Sequence, residues 1–408
     1  MEITHEAVVP IPSSPSKYQH SCASGLLRGE TKDAPDYIKN TFAAEFYAWP
    51  DNLLKREKIE QRYEKRVRLI TGAVANHLKL GREGKGDPEL VKEKVSQADE
   101  PELYRFIKSL LYKGLNGSYQ KHARLSSIIL ENKFNCFTAS FLVWDAMRRM
   151  GKEMQGVQTN NHFFLVGKYY AFDVVSNNYV FSKHKIPIMY KKHEIISNMA
   201  DKISGAAYIQ YASMLRNSGT PEENKKVASL SSDGLQNAPE MSISMGQALI
   251  ARVLAESGKT DEARVVCKEA LHKDPTNAFA LDVFYNTCEE RGHFEEFIGR
   301  VDIFTRDVEK QWCIILKKGL AQTRLGKVEE ALETCREVLR IDPRNPHARF
   351  WIAFITSDRR PRAAVRIADT IQKMEDKEGK YTGVRQDAAE LKKLILERLK
   401  DERKAHMY

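Results

Sequence analysis

The feature that most limits the fold is a long period in the second half of the chain. One segment, GQALIARVLAESGKTDEARVVCKEALHKDPTNA, begins at Gly246, and a second, KKGLAQTRLGKVEEALETCREVLRIDPRNPHA, begins at Lys317. Aligned, Gly258 matches Gly326, Ala263 matches Ala331, Cys267 matches Cys335 and Pro275 matches Pro343, each pair 68 residues apart. That spacing is two periods of about 34, and Gly292 falls at the midpoint where an intermediate unit would turn. A unit of this length holds two helices and a turn, and it cannot bury its apolar face without a neighbour. Small residues let the paired helices approach, Gly supports the turn, and Asp-Pro stops the second helix. The intermediate unit carries Phe297 where the flanking units have Ala.

This pattern resembles a tetratricopeptide array, which implies an all-α solenoid with a groove for a protein or peptide. A further helical pair follows from Pro346, with WIAFI at 351–355 and PRAAVRIADTIQKM from Pro361. The final AAELKKLILERLKDERKAHM reads as a charged helix striped by Leu391, Leu394, Ile395 and Leu399. It is expected to cap the solenoid by hiding the last apolar face, with partner binding as the runner-up.

Ahead of the repeats the pattern changes. Residues 1–35 are rich in Pro, Ser and Gly and read as a disordered or loosely attached head. Residues 36–215 are expected to hold a helical region and then a small sheet. The segment IEQRYEKRVRLITGAVANHLKL places Ile59, Val67, Ile70, Val74 and Leu78 on one helical face. HFFLVGKYYAFDVV, residues 162–175, is aromatic and β-branched around Gly167–Lys168, and it reads as two strands joined by a short turn. Residues 216–240 are polar and read as a linker, 241–372 as the repeats, and 373–408 as the charged capping helix.

Six cysteines are scattered without a CxxC pair, which argues against a zinc cluster or a disulfide scaffold. Cys267, Cys288, Cys313 and Cys335 fall within the array and read as small buried hydrophobes, while Cys22 lies in the head. Cys136 stands apart, early in NKFNCFTASFLVWDAMRRMG. A thiol attacks a carbonyl as thiolate, so it needs a His to take its proton and a carboxylate or amide to orient that His. His162 opens one strand candidate and Asp173 closes its neighbour. A hairpin centred on Gly167–Lys168 would set His162 and Asp173 directly opposite on one face. A helix beginning near Cys136 would direct the sulfur toward that face, where the helix dipole favours a thiolate. The plainer reading keeps Cys136 buried among Phe134 and Phe137, with His162 and Asp173 in ordinary internal hydrogen bonds. Asn132, Asn135 and Asn161 read as caps or turn residues, Asp145 as a surface charge or local partner, and His184 and His193 as solvated or at the rim of a substrate site.

Asn135–Cys136, then GVQTNNHFFLV from Gly156, then FDVVSNN from Phe172, resemble the transglutaminase-like branch of the papain-like cysteine superfamily. The order of this segment and the following repeats is most similar to the SirB1-like branch. The resemblance implies an α+β papain/transglutaminase-like domain followed by the tetratricopeptide-like solenoid. It implies Cys136 as nucleophile, His162 as base and acid, and Asp173 as orienting carboxylate. Phe134 stands where a small residue is usual, Asn160–Asn161 replace a Pro-Gly-like turn, and Val174–Val175 follow the Asp in place of a Pro-containing segment.

The implied activity is thioacyl chemistry on an amide or thioester of a protein, with hydrolysis by a protease or deamidase preferred over transamidation. The alternative is a non-catalytic interaction scaffold. No cofactor or metal is expected. The partner is a protein or peptide substrate recruited by the repeats. Basic residues predominate, with a net charge of +10, but they are interleaved with acids, so nucleic-acid binding is not expected. No run of apolar residues is long enough to span a membrane. The absence of a secretory signal pattern points to the cytoplasm, or to delivery into a host cell by a specialised bacterial secretion system.

Overall fold

Four of the five apolar positions that mark residues 59–78 as a helix are the ones that build the first core. Ile59, Val67, Ile70 and Val74 are fully buried, and Tyr63 fills the gap in their spacing. Leu78 is half-buried just past the helix end. The computed structural model describes residues 36–50, 56–80, 87–114, 117–120, 123–159, 162–175, 180–189, 193–216, 220–305, 312–374 and 381–405. The head expected over 1–35, Cys22, Asn160 and Asn161 lie outside the described residues. The chain divides into two compact units, Met1–Ser204 and Gly205–Tyr408.

The first unit opens with α1 (Asp36–Ala48), α2 (Arg56–His77), α3 (Pro88–Gln97) and α4 (Glu100–Ser109). Asp87 and Asp99 cap α3 and α4 by accepting backbone N–H groups, and each helix has Pro in its first turn. α4 runs on into a π-helical turn, Leu110–Gly114. Then come β1 (Ser118–Tyr119), α5 (Leu125–Leu130), β2 (Lys133–Phe134) and α6 (Cys136–Arg149). β1 and β2 pair in parallel, with α5 as part of the crossover. The rest is β3 (Gln155–Gln158), β4 (Phe163–Val166), β5 (Tyr170–Phe172), β6 (Val180–Ser182), α7 (Ile186–Met189) and β7 (Glu194–Ile196). These strands form an antiparallel sheet in the order β6-β5-β4-β3-β7.

α6 is buried almost all round, from Phe137 to Met147. Such a helix needs partners on every side. Phe137 meets Phe163 of β4 edge-on at 5.4 Å, while Phe141 packs near Tyr37 of α1 and Tyr63 of α2. Asp145 is fully buried here and is not a surface charge. Its carboxylate accepts the hydroxyls of Tyr37 and Tyr63 and is paired with Arg149 at 2.9 Å. Arg149 also holds Glu64 of α2 by two hydrogen bonds, at 2.6 and 2.9 Å. Three helices thus share one satisfied charge network, which fixes α6 along its length.

Among its described residues the second unit is all helical. It contains most of α8 (Met199–Leu215), then α9 (Pro221–Leu235), α10 (Glu240–Glu256), α11 (Thr260–Lys273), α12 (Ala278–Arg291) and α13 (Phe294–Thr305). α14 (Trp312–Arg324), α15 (Val328–Ile341), α16 (Pro346–Thr356), α17 (Pro361–Gln372) and α18 (Thr382–Ala405) complete it. Gly258, Gly292 and Gly326 have φ of 77°, 72° and 75°, a left-handed turn repeated at each expected position. Ala263, Cys267, Ala331 and Cys335 are all fully buried, as the small-residue pattern requires. Phe297 is buried too, and it packs edge-on against Tyr285 at 5.0 Å.

The linker expected over 216–240 is instead largely α9. Thr220 caps it, Pro221 occupies its first turn, and Val227 and Leu230 are buried. Gly234 allows the close approach of Ile209 of α8. A helix that buries few large side chains resembles a linker in composition. Cys313 is exposed, contrary to the expectation for the four array cysteines, because Ile314 and Ile315 take the inward positions of α14. In α18, Ile395 is buried and Leu391 and Leu399 pack around Ala353 and Ala364, which fits a cap, but Leu394 is 64% exposed.

Candidate active site

Two strands and one helix start bring the candidate residues together. Thr159 N–H donates to the carbonyl of His162 at 2.9 Å, extending the β3–β4 pairing by one step beyond Gln158 and Phe163. β4 and β5 pair Leu165 with Phe172 and Val166 with Ala171. The hairpin is therefore centred on Lys168–Tyr169, one residue beyond the expected centre. In that register Asp173 is not directly opposite His162 but one step diagonal to it, still on the same face, because strand faces repeat every two residues. His162 Nε2 lies 2.6 Å from Asp173 Oδ2. Asp173 is 2% exposed at its side chain, and its Oδ1 accepts the Val175 N–H at 3.1 Å.

The shifted centre has a long-range cause. Glu100, in the first turn of α4, is only 7% exposed. Its carboxylate accepts the N–H groups of Lys168, Tyr169 and Tyr170 at 3.0, 3.1 and 3.2 Å and pairs with Lys152 at 3.1 Å. Consecutive N–H groups form an anion-binding concavity, and Glu100 occupies it. Gly167 is needed beside it, since a Cβ there would collide with Tyr104 Oη and the Glu100 carboxylate. Tyr104 also stacks on Phe172 at 4.9 Å, next to Asp173.

Cys136 is the first residue of α6. Asn135 accepts the Thr138 N–H at 2.8 Å, and the Asn135 N–H donates to Thr138 Oγ1 at 3.0 Å. Asn135 Nδ2 also donates to the Ala123 carbonyl at 2.9 Å, so the cap is itself anchored. This capping box takes up the N–H groups of Asn135 and Thr138 and leaves those of Cys136 and Phe137 beside the sulfur. Cys136 is partly exposed, whereas Phe134 and Phe137 are buried. Its thiol is felt at the His162 ring, where it favours the protonated form. With Nε2 held by Asp173, Nδ1 is the ring nitrogen left for the thiol. Burial opposes charge on the His162 ring, but the hydrogen bonds and charges of Asp173 and Cys136 outweigh it and raise the pKa to about 10.

Three further side chains feel the charges of Asp173 or Cys136. Lys108 lies in the last turn of α4; burial lowers its pKa and the charge of Asp173 works against that shift. Tyr112 lies in the π-helical turn, and burial together with the Asp173 and Tyr119 charges raises its pKa. Tyr119 of β1 is raised by burial and by the charge on Cys136. Lys108 Nζ sits 5.6 Å above the Tyr112 ring. No sequence signal marks these residues or Glu100, because their partners are distant in the chain. The other singled-out residues have plainer places. Asn132 adopts φ 55° and accepts from Arg66 at 2.7 Å. His184 is exposed in a 3₁₀ turn. Cys267, Cys288 and Cys335 have thiols pushed up by burial, the last two to about 12.

No family model matches the chain, and no curated protein matches it. Solved structures similar to it are tetratricopeptide proteins. One is a thermophilic protein from Thermus thermophilus, at 15% identity over 46% of this chain and 98% of that one, with a TM-score of 0.36. MamA from Desulfovibrio magneticus has 11% identity over 41% of this chain and 93% of its own, with a TM-score of 0.35. YrrB, described as having an unusual peptide-binding site, has 14% identity over 45% of this chain and 91% of its own, with a TM-score of 0.34. These likenesses are to helical-repeat proteins. Among the described residues, no helix is long and apolar enough to cross a membrane.

Proposed function

We propose that the first unit is a papain-like cysteine enzyme of transglutaminase-like type, acting on an amide or thioester of a protein. The observation that supports this reading is the contact of His162 with Asp173 at 2.6 Å, on a ring that also responds to Cys136 at the start of α6. Cys136 attacks the carbonyl as thiolate, its proton held on His162. Asp173 fixes the ring through Nε2, and Val175 fixes Asp173. The His162 proton then passes to the departing amine or ammonia, leaving a thioacyl-enzyme. Water activated by His162 releases the acid, whereas an incoming amine would give transamidation. The Cys136 N–H supports the oxyanion.

The helical array of the second unit serves in this reading to recruit the substrate protein. The alternative, a non-catalytic interaction scaffold, draws on the same array, which is the kind of structure that the similar proteins have. Turnover of a peptide-amide library by the full chain, compared with Cys136→Ala and His162→Ala, separates the two. Release of amine or ammonia that both substitutions abolish supports the enzyme. Binding of a protein partner with no difference in turnover among the three supports the scaffold.

A further inference from the structure

We infer that the phenol of Tyr119 is the second oxyanion donor of the Cys136 site; the inference rests on the cysteine-enzyme reading and assigns it a further catalytic residue. β1 is held against β2 by the Ser118 N–H, which donates to the Asn132 carbonyl at 2.9 Å, and the Gln120 N–H, which donates to the Phe134 carbonyl at 2.8 Å. Tyr119 is paired with Phe134 in this ladder, so the two side chains leave the same side of the strand pair. The chain stays extended through Asn135, at φ −113° and ψ −176°. Residues two apart on an extended chain share a side, so Cys136 emerges on the side of Phe134 and Tyr119. Phe134 is buried, whereas Tyr119 is 53% exposed. Its phenol therefore stands on the solvent flank of the sulfur, the flank from which a substrate carbonyl must come.

The electrostatics agree with this placement. The charge on Cys136 is felt at the Tyr119 phenol and, after burial, raises its pKa, which keeps the hydroxyl a donor at neutral pH. When the thiolate attacks, the C–S bond forms and the carbonyl π pair moves to oxygen. The Cys136 N–H and the Tyr119 O–H donate to that oxygen. When the pair returns, the bond to the leaving group breaks, and the His162 proton goes to an amine leaving group. Neither donor gains or loses a proton, so the step balances without a co-reactant.

The test uses two reactions of the same sulfur. Iodoacetamide alkylates it by displacement of iodide and forms no oxyanion. p-Nitrophenyl acetate acylates the sulfur through a tetrahedral oxyanion. In the full chain, Tyr119→Phe is expected to slow acylation about 100-fold or more while the rate of Cys136 alkylation stays essentially unchanged. If both rates fall together, Tyr119 acts on the thiol or its placement, and the inference is overturned. It is equally overturned if neither rate falls. If wild type and Cys136→Ala release p-nitrophenol alike, the cysteine-enzyme reading itself fails and takes this inference with it.

Discussion

Replacing Glu100 with Gln removes one charge and changes almost no volume, yet it should disturb the hairpin that carries His162 and Asp173. The carboxylate has four donors around it: three backbone N–H groups and the Lys152 ammonium. An amide keeps one acceptor oxygen and turns an N–H₂ group toward donors in either orientation. Hydrogen bonds to a charged group contribute about 1.5–3 kcal/mol each. Leaving the buried Lys152 without its partner brings the loss to about 3–5 kcal/mol. For a unit of this size, 1 kcal/mol moves Tm by about 2–4 °C, so a fall of roughly 10 °C is expected. Hydrogen exchange read at Lys168, Tyr169 and Tyr170 locates the effect, since these amides should lose protection before those of α6.

The pH dependence gives a second reading of the same contact. Burial raises the Glu100 pKa, but the Tyr169 and Lys168 N–H groups and Lys152 outweigh it and lower the pKa below the ordinary 4.5. A depressed carboxyl stabilises the fold above its unfolded pKa, and that contribution is lost as pH falls through the folded value. Acid should therefore release the three amides in wild type through a transition that Glu100→Gln lacks. Unchanged Tm and unchanged protection at these amides in Glu100→Gln would refute the anchoring argument.

Other consequences follow from single contacts. Asp145→Ala leaves Arg149 only its Glu64 partner and deprives two buried tyrosine hydroxyls of their acceptor, and urea unfolding should show a loss of about 2–4 kcal/mol. Gly292→Ala places a Cβ at φ 72° and should cost the array about 1 kcal/mol by thermal unfolding. His162, with its pKa raised to about 10, should show imidazolium shifts by NMR well above pH 7, and Asp173→Asn should move its titration down. Because that pKa is raised, the stabilising contribution is full below the ordinary value of 6.5 and fades as pH rises through about 10.

How much of this was legible in the sequence depended on the range of the interaction responsible. The repeat turns at Gly258, Gly292 and Gly326 are local and periodic, so spacing alone located them. The shared face of His162 and Asp173 was legible because a strand repeats every two residues. The hairpin centre was misplaced because Glu100, far back in the chain, holds the turn from outside it. α9 was hidden because its contacts use Gly and Ser as well as Val227 and Leu230. Asp145 read as a surface charge or local partner, and its burial was hidden because its tyrosine partners lie on α1 and α2. Cys313 was misread because the WCIIL run does not reveal which side of α14 faces inward.

The central claim is that His162 makes Cys136 the reactive thiol, and site-resolved alkylation tests it most directly. The full chain is treated with limiting iodoacetamide at neutral pH, and the modification rate at each cysteine is read by mass spectrometry. Cys313 is the more exposed thiol, so accessibility alone would favour it. The account predicts that Cys136 is modified faster than Cys313, and that His162→Ala slows Cys136 while leaving Cys313 unchanged. Faster modification of Cys313 in wild type, or a Cys136 rate indifferent to His162→Ala, would contradict it.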